Sequence, residues 1–522
     1  MGFWLKSVEQ IYSCAELARW RRADPQRPLH FVPTMGALHR GHAALLRRAA
    51  ERRGAARPRV LLSVFVNPLQ FGPGEDFERY PRDLERDAAL AAAAGADGLF
   101  APPVDQLYPG GSKEITGVRP PASLLGVLCG RSRPGHFDGV ATVVCRLLAL
   151  VRPDRLFLGE KDWQQLQILR RVIGDLGLPV RLESCATVRE SDGLALSSRN
   201  RYLSPEERRH ACALPAALTA AAASLGSGVD PVAALAECRS RLGAAGLGVD
   251  YLELVQAHTL KPMTQPAGLT LLAAAVHCGP GRLIDHVFLM SRPPIVAIDG
   301  PAGAGKSTVT RAFASRLGLT YLDTGAMYRA LTWWVQRQGV DPVDAAAVAP
   351  LLQELDLRLD GGGSSQRVSI NGHDVSEAIR APEVTALVST VAAHGCVRQA
   401  LTRQQQAMGE RGALVAEGRD IGTAVFPDAD CKVFLTASVS ERARRRAADL
   451  RQRGFAVPPL AELEAQIAER DRLDSSREVA PLLQADDAVE LVTDGMDIEA
   501  VIQALVDLFR ARVPEEAWPG PA

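Results

Sequence analysis

Apolar and polar positions alternate over residues 1–183 in two rhythms. Short apolar runs of strand length ("RPLHFVPTMG", "RVLLSVFVNPLQF", "DGLFAPP") are separated by Ala/Arg/Leu-rich stretches with helical spacing ("HAALLRRAAERR", "DLERDAALAAAAGA"). After Gly139, "VATVVCRLLALVRP" has a helical pattern and "RLFLGEKDWQQLQILRRVI" runs strand, turn, helix. This alternation predicts a parallel sheet flanked by helices. Ligands of such α/β folds bind beyond the carboxyl ends of the strands, where the polar motifs of this chain fall. From Ser184 the pattern changes: Ala-rich helices over 205–246 precede the strands "DYLELVQA" and "LTLLAAAVHCG", predicting a smaller α+β domain that ends near Met290. "SRPP" (291–294) reads as a stiff junction, after which "IVAIDGPAGAGKST" opens a new strand–loop–helix unit. The expected divisions are therefore 1–183, 184–290 and 291–522. "GGGSS" (361–365) reads as a hairpin or flexible loop and "PEEAWPGPA" as a loose tail.

Composition narrows the function classes. A chain of 522 residues predicts three or four domains, at roughly 150 residues each. Lys plus Arg equals Asp plus Glu, 60 of each, so net charge gives no argument for nucleic-acid or membrane binding. Nine cysteines without a CxxC pair read as reduced thiols of a cytoplasmic protein rather than a disulfide framework or zinc site. The start, "MGFWLKSVEQ", is too short in apolar residues for a signal peptide, and Lys6 breaks a myristoylation pattern. No apolar run is long enough to span a bilayer.

The sharpest chemical signal is Gly300-Pro-Ala-Gly303-Ala-Gly305-Lys306-Ser307, followed by Thr308. It follows a predicted strand and opens a predicted helix, the setting a phosphate loop requires. Its glycines let backbone N–H groups turn toward phosphate oxygens, and the helix N-terminus favours anions. Lys306 can reach the β and γ phosphates, and Ser307 can hold Mg²⁺. Further on come "YLDTGAMYRA", "EGRDIGTAVFPDAD", the basic helix "ERARRRAADLRQR" and "ERDRLDSSREVAPL". In order and spacing these blocks resemble the bacterial cytidylate kinases, over 294–512. The resemblance implies a P-loop nucleoside monophosphate kinase domain transferring phosphate from ATP to CMP or dCMP. Thr324, Arg329, Ser389, Arg398, Asp420, Arg470, Asp474 and Arg477 then fall where the family holds the monophosphate. Arg442, Arg444, Arg445 and Arg446 fall on the lid that closes over ATP, Arg444 being assigned to ATP itself. Other acceptors (UMP, AMP, shikimate) stay open, as does a degenerate, merely nucleotide-sensing head.

Near the start, "VPTMGALHRGH" raises a separate question. His39 and His42 flank a glycine just after a strand-to-helix turn. Metal ligation and a satisfied core pair are both open, but the turn suits phosphate: glycine permits close approach, the helix start supplies N–H groups, and imidazoles can donate to a charging α-phosphate. The blocks "FVNPLQFGPGEDFERYPR", "SRPGHFDGVATVV", "LGEKDWQQ", "LALSSRNRYL" and "RLIDH" accompany it. Together, over 8–290, they resemble pantoate–β-alanine ligase. That resemblance implies a Rossmann-like nucleotidyltransferase domain plus the small α+β domain, adenylation of pantoate by ATP, and attack by β-alanine on the acyl-adenylate. It assigns ATP to Met35, Gly36, His39, His42, Gly159, Glu160, Lys161, Asp162, Val188, Leu196, Ser197, Ser198 and Arg199, with Mg²⁺ at the serine–arginine clamp. Gln70 and Gln165 are assigned to pantoate, with Asn67 supporting them. His42, His39, Lys161 and Lys306 are the expected catalytic groups. Trp163 stands where tyrosine is usual. The expected partners are small-molecule substrates only, with no nucleic acid and no membrane, and a homodimer through the ligase half.

Overall fold

The computed structural model describes residues 8–51, 57–111, 114–360, 366–452, 454, 456–477 and 479–521. The first residues of the chain and the "GGGSS" stretch lie outside them. The chain divides into two units: Met1–Ser291 with Pro514–Ala517, and Arg292–Val513 with Trp518–Ala522. The expected last segment, 291–522, thus needs correction: four residues near its end belong to the first unit. "PEEA" carries two carboxylates and backbone N–H groups that find partners there, a tertiary pairing invisible in local pattern.

Unit one is built on six parallel strands, β1 (Glu9–Ile11), β2 (Leu29–Thr34), β3 (Arg59–Val64), β4 (Gly98–Phe100), β5 (Arg155–Gly159) and β6 (Arg181–Cys185). Their order is β1-β4-β3-β2-β5-β6. The apolar runs β2, β3 and β4 are central and buried, as strands covered by helices on both faces must be. β6 lies on the edge with a mixed, partly exposed pattern, "RLESC". The division expected at 183/184 cuts this strand, so the parallel sheet extends to Cys185; an edge strand lacks the continuous apolar run that marks its neighbours.

The chain winds outward from β2 through β3 to β4, then returns to place β5 on the other side of β2. Between β2 and β5 the connections diverge, leaving a crevice beyond the strand ends. The turn carrying His39 leaves β2, and the turn 160–162 leaves β5. After β6, helices Pro205–Ala211, Ala213–Gly226 and Pro231–Ala244 pack on an antiparallel sheet, β7 (Gly248–Gln256), β8 (Leu269–Cys278) and β9 (Gly281–Met290). Tyr251, Val255, Leu271 and Ala273 of this sheet join the buried cluster of the parallel sheet, so the small layer seals one flank of the main core.

Unit two has its own parallel sheet. Its strands are β10 (Ile295–Asp299), β11 (Thr320–Asp323), β15 (Leu414–Gly418), β16 (Cys431–Thr436) and β17 (Val489–Val492), in the order β11-β15-β10-β16-β17. A small antiparallel sheet, β12 (Leu357–Asp360), β13 (Arg367–Ile370) and β14 (His373–Asp374), is inserted between β11 and β15. β10 is central, so the phosphate loop that leaves it is held by the most buried part of the sheet. Gly300 has φ +147°, and a Cβ there would sit 2.0 Å from the Leu435 carbonyl oxygen. Only glycine lets β10 turn so close to β16.

Candidate functional sites

In unit one, the His39–His42 pair forms the start of helix Arg40–Ala50. His39 is the N-cap, and its Nδ1 accepts from Gly41 N–H at 3.1 Å. His42 Nδ1 accepts from His39 N–H at 3.3 Å. These two bonds reproduce a capping box with imidazoles in place of the usual hydroxyl and carboxylate. Their geometry accounts for the glycine: a Cβ on residue 41 would lie 2.9 Å from His39 Cε1. The rings lie 4.1 Å apart between centroids, tilted by 36°. With both Nδ1 atoms accepting, each ring is neutral and carries its proton on Nε2. Electrostatics agree in direction. Burial, then Lys161, pulls His39 down to about 4; burial, then His39, pulls His42 down to about 3.

This has a direct consequence for NMR. Neither ring is expected to titrate between pH 8 and pH 5, and each should show the Nε2–H tautomer by ¹⁵N shifts. A midpoint near 6.5 for either ring would contradict the capping geometry.

Both rings line a cavity of about 270 Å³ at the crevice between the β2 and β5 exits. Met35, Gly159, Lys161, Asp162, Val188 and Leu196 line it too, as do Ser197, Ser198 and Arg199. Asn67, Gln70 and Gln165 complete the expected set along its wall. Asn67 is buried and fully used: it donates to Gln70 Oε1 (3.2 Å) and Gly139 O (3.1 Å), and accepts from Leu69 N–H and the Tyr108 hydroxyl. It therefore fixes the Gln70 amide, whose Nε2 approaches Met35 Sδ at 2.8 Å. Trp163 is buried and its indole N–H donates to Ala257 O at 2.6 Å, a role no phenol is needed for.

Two expected residues are absent from this lining. Gly36 is a turn residue with φ +84° whose absent Cβ leaves room for Asp87 and Val64. Asp87, buried, accepts from Ala37 and Leu38 N–H at 2.9 and 2.7 Å and so shapes the approach to His39. The Glu160 side chain is wholly buried, its oxygens taken by Ser184 and by the backbone of Glu515 and Glu516.

Residues that the sequence did not assign to the site enter here. Asp76 pairs with Arg199 through both oxygens, at 3.0 and 2.9 Å, and the Tyr80 hydroxyl lies 3.1 Å from Ser198 Oγ. The loop after β3 is thus latched to the Ser197–Arg199 turn. Arg133 donates to Glu75 and to His136 Nε2, while His136 Nδ1 bonds Gln70 O at 2.8 Å. The blocks containing all of these were visible; which members would pair across 58 to 123 residues of chain was not.

In unit two, helix Lys306–Leu317 begins directly after the phosphate loop. Lys306 is buried, and its ammonium donates to Gly300 O (2.6 Å) and Pro301 O (2.9 Å). Burial holds it below the ordinary lysine range. The Ser307 hydroxyl donates to Glu417 Oε1, and Glu417 Oε2 is buried without a hydrogen-bond partner. Thr308 is exposed at the helix start. Asp299, at the end of β10, accepts from Ile421 and Gly422 N–H at 2.8 and 2.7 Å and positions the turn after β15. Burial pushes it up to about 6.

That turn presents Asp420, which pairs with Arg398. Asp474 pairs with Arg477 and, at 3.1 Å, with Arg419. Arg419 also donates to Gly300 O at 3.1 Å, linking the turn to the phosphate loop. Burial, then Arg419, disfavours the charged form of Arg470, and Arg329 and Arg477 add to it. The Nε atoms of Arg329, Arg398 and Arg470 are buried without partners. Several guanidiniums with unspent N–H groups in one region suit an anionic guest. Thr324 is buried and donates to Glu417 O at 2.7 Å; Ser389 is half-buried on helix Pro382–Ala393. On the basic helix Val439–Gln452, Arg442 and Arg445 reach the phosphate loop at Ala302 O and Ala304 O, both at 3.1 Å. Arg444 instead faces solvent, paired with Glu441. Glu417 and Arg419 went unassigned from sequence, although both stand in the quoted "EGRD".

The pantoate–β-alanine ligase family model matches residues 6–288, and the cytidylate kinase model matches residues 296–511. The protein named bifunctional pantoate ligase/cytidylate kinase of Parasynechococcus marenigrum (strain WH8102) is 66% identical over 97% of this chain and 99% of its own length. Its namesake from Synechococcus sp. (strain RCC307) is 57% identical over 97% of this chain and 99% of that one. Among solved structures, pantothenate synthetase from Thermus thermophilus is 48% identical, covering 55% of this chain and 100% of that one, with a TM-score of 0.51. Two family models matched in series, and relatives that carry both along their whole length, make this chain a member of the bifunctional pantoate ligase/cytidylate kinase family.

Proposed function

We propose that the two units run two ATP-dependent reactions on separate sites. Unit one condenses pantoate with β-alanine. The pantoate carboxylate attacks the α-phosphorus of ATP, diphosphate leaves, and the amine of β-alanine then displaces AMP from the acyl-adenylate to give pantothenate. The observation that carries the assignment of the site is the neutral histidine pair on the cavity wall. Each ring offers one N–H donor, suited to charge that grows on an α-phosphoryl oxygen during attack. A neutral imidazole stabilises that charge as a hydrogen-bond donor and need not give up its proton. Lys161 adds a cation, Ser197, Ser198 and Arg199 receive the leaving diphosphate, and Asp162 and Val188 face ribose and adenine. Gln70, oriented by Asn67, and Gln165 hold pantoate and keep its carboxylate in line, which raises effective concentration.

Unit two transfers the γ-phosphoryl group of ATP to CMP or dCMP. Lys306 and the loop amides hold the donor phosphates. Arg329, Arg398, Arg470 and Arg477 take the acceptor phosphate, and Asp420 and Asp474 the sugar hydroxyls. Ser307 and Glu417 fit a divalent cation: a hydroxyl beside a carboxylate with one buried oxygen unspent is an oxygen donor set of the kind Mg²⁺ takes. Bound there, Mg²⁺ would neutralise charge on the phosphate oxygens.

One purified sample given pantoate, β-alanine and ATP should release AMP. The same sample given ATP and CMP should release ADP and CDP. Faster turnover of UMP, AMP or shikimate than of CMP and dCMP would overturn the acceptor assignment. The reading places the protein in the cytoplasm. All nine cysteines are free thiols, and among the described residues no helix is long and apolar enough to cross a membrane. It also includes a homodimer formed through unit one, on family resemblance, which light scattering tests.

A further inference from the structure

Glu160 poses a problem of its own. Its carboxylate is wholly buried, and burial pushes it up from the ordinary glutamate range. A buried carboxylate is tolerated when N–H and O–H donors surround it. Three do: Ser184 Oγ at 2.8 Å, Glu515 N at 2.9 Å and Glu516 N at 2.9 Å. Two of the three come from the segment Pro514–Ala517.

The backbone of these two residues donates, and their side chains accept in turn. Glu516 Oε1 accepts from the Thr187 N–H at 3.0 Å and from the Thr187 hydroxyl. Glu515 Oε2 accepts from the Ala186 N–H at 3.4 Å, and its carboxylate lies 3.3 Å from Arg48. Arg189 stands 3.9 Å from the Glu516 carboxylate. The partners are not scattered. Glu160 follows β5 and immediately precedes Lys161; Ala186 and Thr187 follow β6 and precede Val188. Lys161, Ala186, Thr187 and Val188 all line the cavity. Two neighbouring strand-exit loops that form the nucleotide wall are therefore fastened from behind by one dipeptide at least 329 residues away in sequence.

We propose that Glu515 and Glu516 are positioning residues of the ligase nucleotide subsite, holding the exits of β5 and β6 in the spacing that receives the adenosine part of ATP. The proposal rests on the reading of this cavity as the ATP site. Neither glutamate touches substrate; each acts through the loop backbone. The adenosine end is remote from the reacting α-phosphorus, so loosening its wall weakens ground state and transition state alike, raising KM rather than lowering kcat.

The test uses the full chain. Glu515→Ala/Glu516→Ala should raise the ligase KM for ATP about tenfold, with kcat and the KM for β-alanine within about twofold. CMP phosphorylation should be unchanged. Glu515→Gln/Glu516→Gln keeps an acceptor oxygen at both sites and should recover most of the loss. Val188→Trp, which fills the wall itself, is the comparator and should also raise the KM for ATP. If Val188→Trp raises it and the double alanine variant does not, the glutamates have no positioning role. A silent Val188→Trp would mean that the nucleotide lies elsewhere, and the proposal falls with the site. A double alanine variant that lowers the melting temperature and kcat and raises every KM together would show a purely structural contact and overturn it as well.

Discussion

Lys306→Ala should leave a folded protein that makes pantothenate at the parent rate and has lost CMP phosphorylation by about a thousandfold in kcat/KM, or roughly 4 kcal/mol of transition-state stabilisation. The lysine ammonium is buried at the mouth of the phosphate loop, where low dielectric strengthens its effect on phosphate charge. Without nucleotide it is satisfied by the Gly300 and Pro301 carbonyls, which preorganise it. Alanine removes the charge and leaves the Pro301 carbonyl without its donor, while Gly300 O keeps Arg419, so a modest loss of melting temperature is expected as well. The discriminating measurement is the ligase rate on the same sample. Unit one has its own sheet and core clusters, and none of the groups lining its cavity belongs to the kinase constellation. Equal loss of both activities in folded protein would refute separate sites.

The mirror experiment is His42→Ala. Ligase kcat should fall by about 10²–10³, the cost typical of removing one preorganised donor from a developing oxyanion. Phosphorylation of CMP should be untouched. His42 also accepts the His39 N–H, so alanine frays the helix start as well as deleting the donor. His42→Gln separates the two effects, since its amide can both accept and donate. Partial recovery with glutamine would assign the loss to hydrogen bonding at the α-phosphate. A ligase indifferent to His42→Ala would remove the imidazole pair from the chemistry.

Legibility of the fold and sites in the sequence followed the range of the interactions. β2, β5 and β10 could be read because interior parallel strands are largely apolar and are followed by a glycine turn and a helix, and β3 because its apolar run is bounded by a polar loop. β1 and β6 lie at sheet edges with three- and five-residue mixed patterns, and nothing local distinguishes them from loop. The same distinction holds within the sites. The phosphate loop and the His39–His42 pair act through contiguous backbone, so spacing alone displays them. Asp76 on Arg199 and Arg419 on Asp474 are pairings between distant segments, and the alphabet of the chain does not say which aspartate meets which arginine. Glu160 shows the converse: it sits inside the stretch proposed to bind nucleotide, yet its side chain turns away, because Glu160–Asp162 form one 3₁₀ turn whose successive residues point to different sides.

The latch between Asp76 and Arg199 carries a last consequence. A polyphosphate that is to take the Nε–Nη2 edge of that guanidinium must displace an aspartate already seated there in fork-to-fork geometry. A nucleoside brings no phosphate charge and a monophosphate about two negative charges at most, whereas a triphosphate brings roughly twice that. Selectivity against nucleosides and against the spent monophosphate can thus arise from an internal rival, without any wall shaped to exclude them.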